Sequence, residues 1–133
     1  MYYFLAPMIA WFVAGTLKYC INYMRFGKEA KSRVGNGGFP SNHTTIVTTV
    51  TFMIGFQEGF SSPTFGLGVA VIMVVIIDAT GLRRHVGNHA VSLNQLSVGE
   101  SKKHRESMGH TKLEVLGGLL LGILLGFLFH LFI

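Results

Sequence analysis

Four groups of residues have types and spacings suited to chemistry on an anion. Lys18 sits inside an apolar segment, where a charge marks either a function or a side chain reaching for the interface. Arg25 would lie at the same edge, and two fixed cations there suit a phosphate group. In GNGGFPSNH, residues 35–43, glycines and a proline precede a run that reads as a helix. Backbone N–H groups of Gly37, Gly38 and the helix start would form an anion site. Ser41 would cap the helix or bond an anion, and His43 would project from the first turn. An ordinary loop and cap would use the same residues. In DATGLRRH, residues 78–85, Asp78 needs a partner that Arg83 or Arg84 would supply. The pair either fixes a helix end as a structural ion pair or leaves one arginine for substrate while Asp78 orients it. His110 and Glu114, in MGHTKLE, are four apart and share one face of a helix. A carboxylate beside a histidine fixes its tautomer and supports positive charge on the ring, which suits a nucleophile or base. The alternative for that pair is a surface contact at a helix start.

Taken together, these are the parts of a metal-free phosphohydrolase. It would have a nucleophilic histidine with an orienting acid, a second histidine as general acid, and cations to hold the phosphoryl oxygens.

The elements that must position them are read from composition and pattern. Of 133 residues, 50% are hydrophobic and only 13% charged, against about 25% charged in soluble domains. The expected fold is an all-α integral membrane protein, one domain over 1–133, with about four transmembrane helices forming a bundle. The spans are expected at roughly 2–24, 41–60, 64–82 and 113–133. The first lacks the basic start of a cleaved signal and is read as a retained span. The second is the least apolar. It holds Thr44, Thr45, Thr48, Thr49 and Thr51, which can bond back to their own helix or lie buried among the others. The net charge is +5, and all eleven Lys and Arg residues fall at or next to the connections after the first and third spans. The positive-inside rule then puts those connections in the cytoplasm and both termini outside. The single cysteine, Cys20, permits no internal disulfide and reads as a packing residue.

At these residues the sequence resembles the type 2 phosphatidic acid phosphatase superfamily, which includes vanadium haloperoxidases. It looks closest to the short, divergent bacterial and plant branch, which resembles GGFPSNHTT, DATGLRR and GHTKLEVLGG in that order. The superfamily's first motif is a lysine, six residues, then Arg-Pro; Lys18 and Arg25 match, with Phe26 for the proline. Its second is Pro-Ser-Gly-His; here it is Pro40, Ser41, Asn42, His43. Its third, Ser-Arg, five residues, His, three residues, Asp, is matched here in two separate pieces. Arg83 or Arg84 would supply the arginine, and His110 and Glu114 the rest. The resemblance implies that His110 forms a phosphohistidine, Glu114 orients it and His43 protonates the leaving group. It implies that Lys18, Arg25 and an arginine of the pair hold phosphate; the residue reading above adds Ser41 and Gly38 to that set, with Asp78 in support. A competing alignment takes His89, separated from Arg83 by five residues, as nucleophile, but its acid position is Leu93. Arg105, ahead of His110, is another candidate phosphate ligand.

The resemblance implies a lipid-linked phosphate or diphosphate as substrate, no cofactor, and the plasma membrane of a bacterium. A non-enzymatic anionic-lipid-binding or assembly protein and a small transporter component remain alternatives. The six histidines show no metal-ligand cluster, and no nucleic-acid module is visible. The superfamily's membrane enzymes usually have six spans, so this shorter chain would cover the lost contacts or pair with itself. Gly118, Gly122 and Gly126 recur every four residues and suit close helix contact, either in a homodimer or within one chain.

Overall fold

The computed structural model describes residues 3–33, 37–96, 99 and 103–132, which form helices and their connections with no strand. Helix α1 (Ala6–Phe26) leads through a 3₁₀ helix (Gly27–Arg33) to α2 (Asn42–Glu58). Helix α3 (Pro63–Ile77) passes through a π-helical turn (Asp78–Leu82) directly into α4 (Arg83–Leu96), and α5 (Lys112–Phe132) closes the chain. Local chemistry sets these limits. Ser41 and Ser62 cap α2 and α3, their hydroxyls accepting from Thr44 N–H at 3.5 Å and Phe65 N–H at 3.2 Å. Pro63 opens α3 where a missing N–H is harmless. Gly59, at φ 95°, ends α2 in a conformation closed to most side chains.

The third helix outruns its expectation. Residues 83–96, read as part of a polar connection, continue it as α4. No proline interrupts residues 64–96, and Gly87 and Ala90 give α4 a buried edge beneath otherwise polar residues.

Helix α2 stands at the centre, touching α1, α3 and α5. The least apolar segment is therefore the most enclosed: Thr44, Thr45, Thr48 and Thr49 have no exposed surface. Three of the five threonines return their hydroxyls to the helix's own carbonyls. Thr45 donates to Ser41 O at 2.9 Å, Thr49 to Thr45 O at 2.8 Å and Thr51 to Val47 O at 2.7 Å. Those bonds remove the cost of burying a hydroxyl while leaving a short side chain.

Helix α5 lies parallel to α2 and in step with it. A Cβ at Gly118 would come 2.7 Å from Ser41 O and 2.9 Å from Thr44 Cβ. At Gly122 it would come 2.5 Å from Thr48 Cβ, and at Gly126 2.9 Å from Thr49 O. Four residues along α5 match four along α2. Of the two uses expected for Gly118, Gly122 and Gly126, the close contact within one chain is the one present here. At the far end Phe52, Phe56, Phe60, Phe65 and Phe127 form an edge-to-face cluster, with His130 stacked on Phe56 at 5.9 Å.

By length and hydropathy, two helices among the described residues can cross a bilayer: Pro63–Leu96, with 34 residues, and Lys112–Phe132, with 21.

Replacing Gly122 by leucine is expected to force α5 off α2 and lower stability by about 2 kcal/mol or more. Leu120→Ala, on the face where Leu120 is 61% exposed, is expected to change it far less. Thermal unfolding in detergent followed by circular dichroism checks this; equal melting temperatures for wild type and Gly122→Leu would overturn the packing role.

Candidate functional site

Because α2 and α5 run parallel, their first turns lie side by side. The backbone records the contact: Ser41 N–H donates to the Glu114 carbonyl at 2.9 Å. This joins the turn bearing His43 to the turn following His110.

Helix α5 begins with a reciprocal cap. Glu114 N–H donates to Thr111 Oγ1 at 3.3 Å, and Thr111 N–H donates to Glu114 Oε2 at 3.0 Å. The same Oε2 lies 3.1 Å from His110 Nδ1. A carboxylate can only accept, so Nδ1 carries the hydrogen and Nε2 keeps its lone pair. The cap therefore holds the carboxylate, and the carboxylate holds the ring. The His110 backbone is anchored separately, donating to Ala79 O in the π turn at 2.9 Å. Gly109 makes that approach feasible. Its φ is 85°, and a Cβ would lie 2.8 Å from Ala79 O and 3.0 Å from Arg84 N.

The π turn also settles which arginine Asp78 meets. Arg83 Nε donates to Asp78 Oδ2 at 2.6 Å, and Arg83 Nη1 stands 3.5 Å from His43 Nδ1. His43 lies within electrostatic reach of Lys18, Arg83, Asp78 and His110.

Two cavities flank His110. The first, about 600 Å³, is lined by Lys18, His43, Arg83, Arg105 and His110, with Trp11, Phe12 and Tyr19 along α1 as its apolar wall. Among the described residues, no carboxylate lines it. The second, about 650 Å³, is lined by Arg25, Arg84 and Gly38 together with Glu106 and Glu114. His110 belongs to both.

The expected phosphate set is thereby divided. Lys18 and Arg83 share the first cavity with both histidines. Arg25 is seven residues beyond Lys18, about 10 Å further along α1, which carries it to the second cavity. Arg84 turns away because one helical residue rotates the side chain by about 100°. Gly38 lies behind Lys18, and its backbone runs along the lysine stem, with a Cβ there 3.8 Å from Lys18 Cδ. Ser41 is wholly buried and lines neither cavity; its hydroxyl serves Thr44, 2.9 Å from that residue's Oγ1. Of the expected phosphate ligands, Arg25, Arg84 and Gly38 thus line the second cavity with His110, and Ser41 lines neither. Asp78 lines neither cavity and acts through Arg83. His89 is exposed on α4 and lines neither, so the competing alignment finds no geometric support.

Burial is the largest influence on the His110 imidazole and pushes its pKa below the ordinary 6.5. The Glu114 hydrogen bond and charge push back upward, while Lys18 and Arg83 add to the downward push. The neutral ring, with a free Nε2 lone pair, is favoured at neutral pH.

Sequence reasoning passed over two features. The Thr-x-x-Glu cap was readable from residues 111–114 as a helix-start pattern. The π turn carries no such signal. It arises where α3 must continue into α4 while its Ala79 carbonyl turns to meet His110.

The sequence profile of the divergent PAP2 family matches residues 1–125. The chain is also similar to the protein described as "Uncharacterized membrane protein YuiD" of Bacillus subtilis (strain 168). The two are 32% identical over 107 residues, covering 67% of this chain and 68% of that one. No solved structure matches.

In an NMR titration, the His110 ring is expected to take up its proton below pH 6.5. Glu114→Gln can keep the cap, since glutamine also closes a capping box, but it removes the charge that supports the imidazolium. The titration should then move further down. An upward move would show that Glu114 does not govern His110.

Proposed function

The chain belongs to the divergent PAP2 family. On that premise we propose that it is a membrane-embedded hydrolase removing phosphate from a lipid-linked phosphate or diphosphate through a phosphohistidine. The observation that carries this reading is the His110–Glu114 pair beside a cavity lined by Lys18, Arg83 and Arg105 and, among the described residues, by no carboxylate. Such a cavity favours a multiply charged anion, and its aromatic wall suits the first carbons of a lipid chain.

The phosphoryl oxygens are held by Lys18 and Arg83. Arg83 is aimed by Asp78 at one edge and keeps its Nη atoms for phosphate. His110 Nε2 attacks phosphorus, and the P–O bond to the leaving alcohol breaks. His43, as imidazolium, gives its proton to the departing oxygen. Water then attacks the phosphohistidine, His43 takes a proton from that water, and His110 leaves as the neutral ring. Glu114 stabilises the positive charge on His110 while the P–N bond lasts. The Arg83 guanidinium donates toward His43 Nδ1. A bound phosphate offers that arginine better acceptors and frees Nδ1 for the proton the acid needs.

A membrane setting accounts for the outer surface. Helix α1 exposes Met8, Trp11 and Phe12 at 60–67%, an apolar strip that water would disfavour. Helix α2 need not face lipid, since its neighbours enclose its threonines. We therefore read α1, α2, α3 and α5 as four spans of a multi-pass protein. The basic residues gather at the end of the bundle that holds the site, so that end faces the cytoplasm. The similarity to a Bacillus subtilis membrane protein supports a bacterial plasma membrane. In this reading Asp78 is tied to Arg83 rather than set on a transport pathway.

Purified protein given phosphatidate, phosphatidylglycerophosphate or a polyprenyl phosphate or diphosphate is expected to release phosphate from at least one. His110→Ala should abolish release and the acid-labile phosphoenzyme. His43→Ala should slow alkyl esters by about 100-fold or more while sparing esters with acidic leaving groups. No release from any of these lipids, or equal release after His110→Ala, sinks the mechanism.

A further inference from the structure

Residues 103–110 carry Arg105 to the first cavity without helical support of their own. What holds this strap is α4. Gly87 lets it lie directly on the helix, since a Cβ there would come 2.6 Å from Glu106 O. Seven residues further along α4, the Asn94 side chain grips His104 from both sides. Its Nδ2 donates to His104 O at 2.8 Å, and its Oδ1 accepts from His104 N–H at 2.7 Å. The same Nδ2 donates to Glu106 Oε1 at 2.9 Å. A carboxamide is suited to this because it offers a donor and an acceptor side by side, as a backbone amide does. Both chain neighbours of Arg105 are thus tied to α4 through one side chain.

We propose that Asn94 is a positioning residue of the site. It holds His104 and Glu106 against α4 so that Arg105 presents its guanidinium to the anion cavity as a third cation beside Lys18 and Arg83. The proposal rests on the phosphatase reading for its substrate, but the anion it concerns can be probed without turnover. His110 is fixed independently, through Ala79 and Glu114. Loss of Asn94 therefore acts on Arg105 and not on the nucleophile.

The test is the affinity of the purified full chain for inorganic phosphate, measured by calorimetry. Arg105→Ala should weaken binding about tenfold, the effect of losing one charge-assisted hydrogen bond. Asn94→Ala should weaken it about fivefold with the melting temperature little changed. Asn94→Asp, which keeps the volume and the bond to His104 N–H but loses both donors, should fall in the same range. The double variant Asn94→Ala, Arg105→Ala should bind as Arg105→Ala alone does, whereas Asn94→Ala combined with Lys18→Ala should show the product of the two losses. Equal multiplication with both partners, or an Asn94→Ala protein that binds phosphate as wild type does, overturns the assignment. Wild-type protein that binds phosphate but hydrolyses no lipid phosphate removes the phosphatase reading and leaves the clamp to be decided by the same affinities. Absence of phosphate binding by wild type overturns both.

Discussion

Gly118, Gly122 and Gly126 present no side chain to α2, and the threonines opposite them present short ones whose hydroxyls are partly spent on their own helix. Backbone can therefore meet backbone along two parallel helices, a contact that depends on small residues rather than on apolar bulk. The site inherits its register from this contact. A parallel pair sets first turn against first turn, and Ser41 N–H reaches the Glu114 carbonyl as the last link of the seam. His43 and His110, 67 positions apart in sequence, come to one cavity for that reason. Slipping α5 by one residue would turn its glycines away from α2 and separate the two histidines together.

Glu114 links the fold to the candidate site. Its carboxylate closes the N-terminal cap of α5 and orients the His110 ring with the same oxygen. A longer acid where the wider superfamily has aspartate suits this double duty, because the cap needs a side chain that reaches back three residues. The histidine is also gripped from behind by the π turn. Its position thus depends on backbone bonds at two helices rather than on a flexible loop.

Charge divides the space around His110. On one side Lys18, Arg83 and Arg105 stand without an acid among the described lining residues; on the other, Arg25 and Arg84 share their cavity with Glu106 and Glu114. The two sides differ in the charge of their linings, although both are rich in arginine. Asp78 sharpens the division by committing Arg83 to a single orientation.

Much was legible in the residues themselves. Helical hydrophobic runs follow from composition and length, and the His110–Glu114 pair follows from a spacing of four, because a helix places those positions on one face. The grouping of cations at one end follows from where the basic connections fall. The order of the motifs indicated the family. Other features depended on the tertiary structure. Whether the glycine face met another copy or the chain's own α2 could not be read from a spacing that serves both. Threonines that lower the hydropathy of α2 gave no sign that it is the central helix, because hydropathy scores a hydroxyl without knowing that a carbonyl four residues back accepts it. Arg83 and Arg84 are adjacent in sequence, yet only the helix turn assigns them to different cavities. Asn94 has no chemical signature at all until the strap lies across it. Local periodicity was set by the sequence alone; which surfaces meet, and which cation faces which cavity, was decided by packing between residues far apart in the chain.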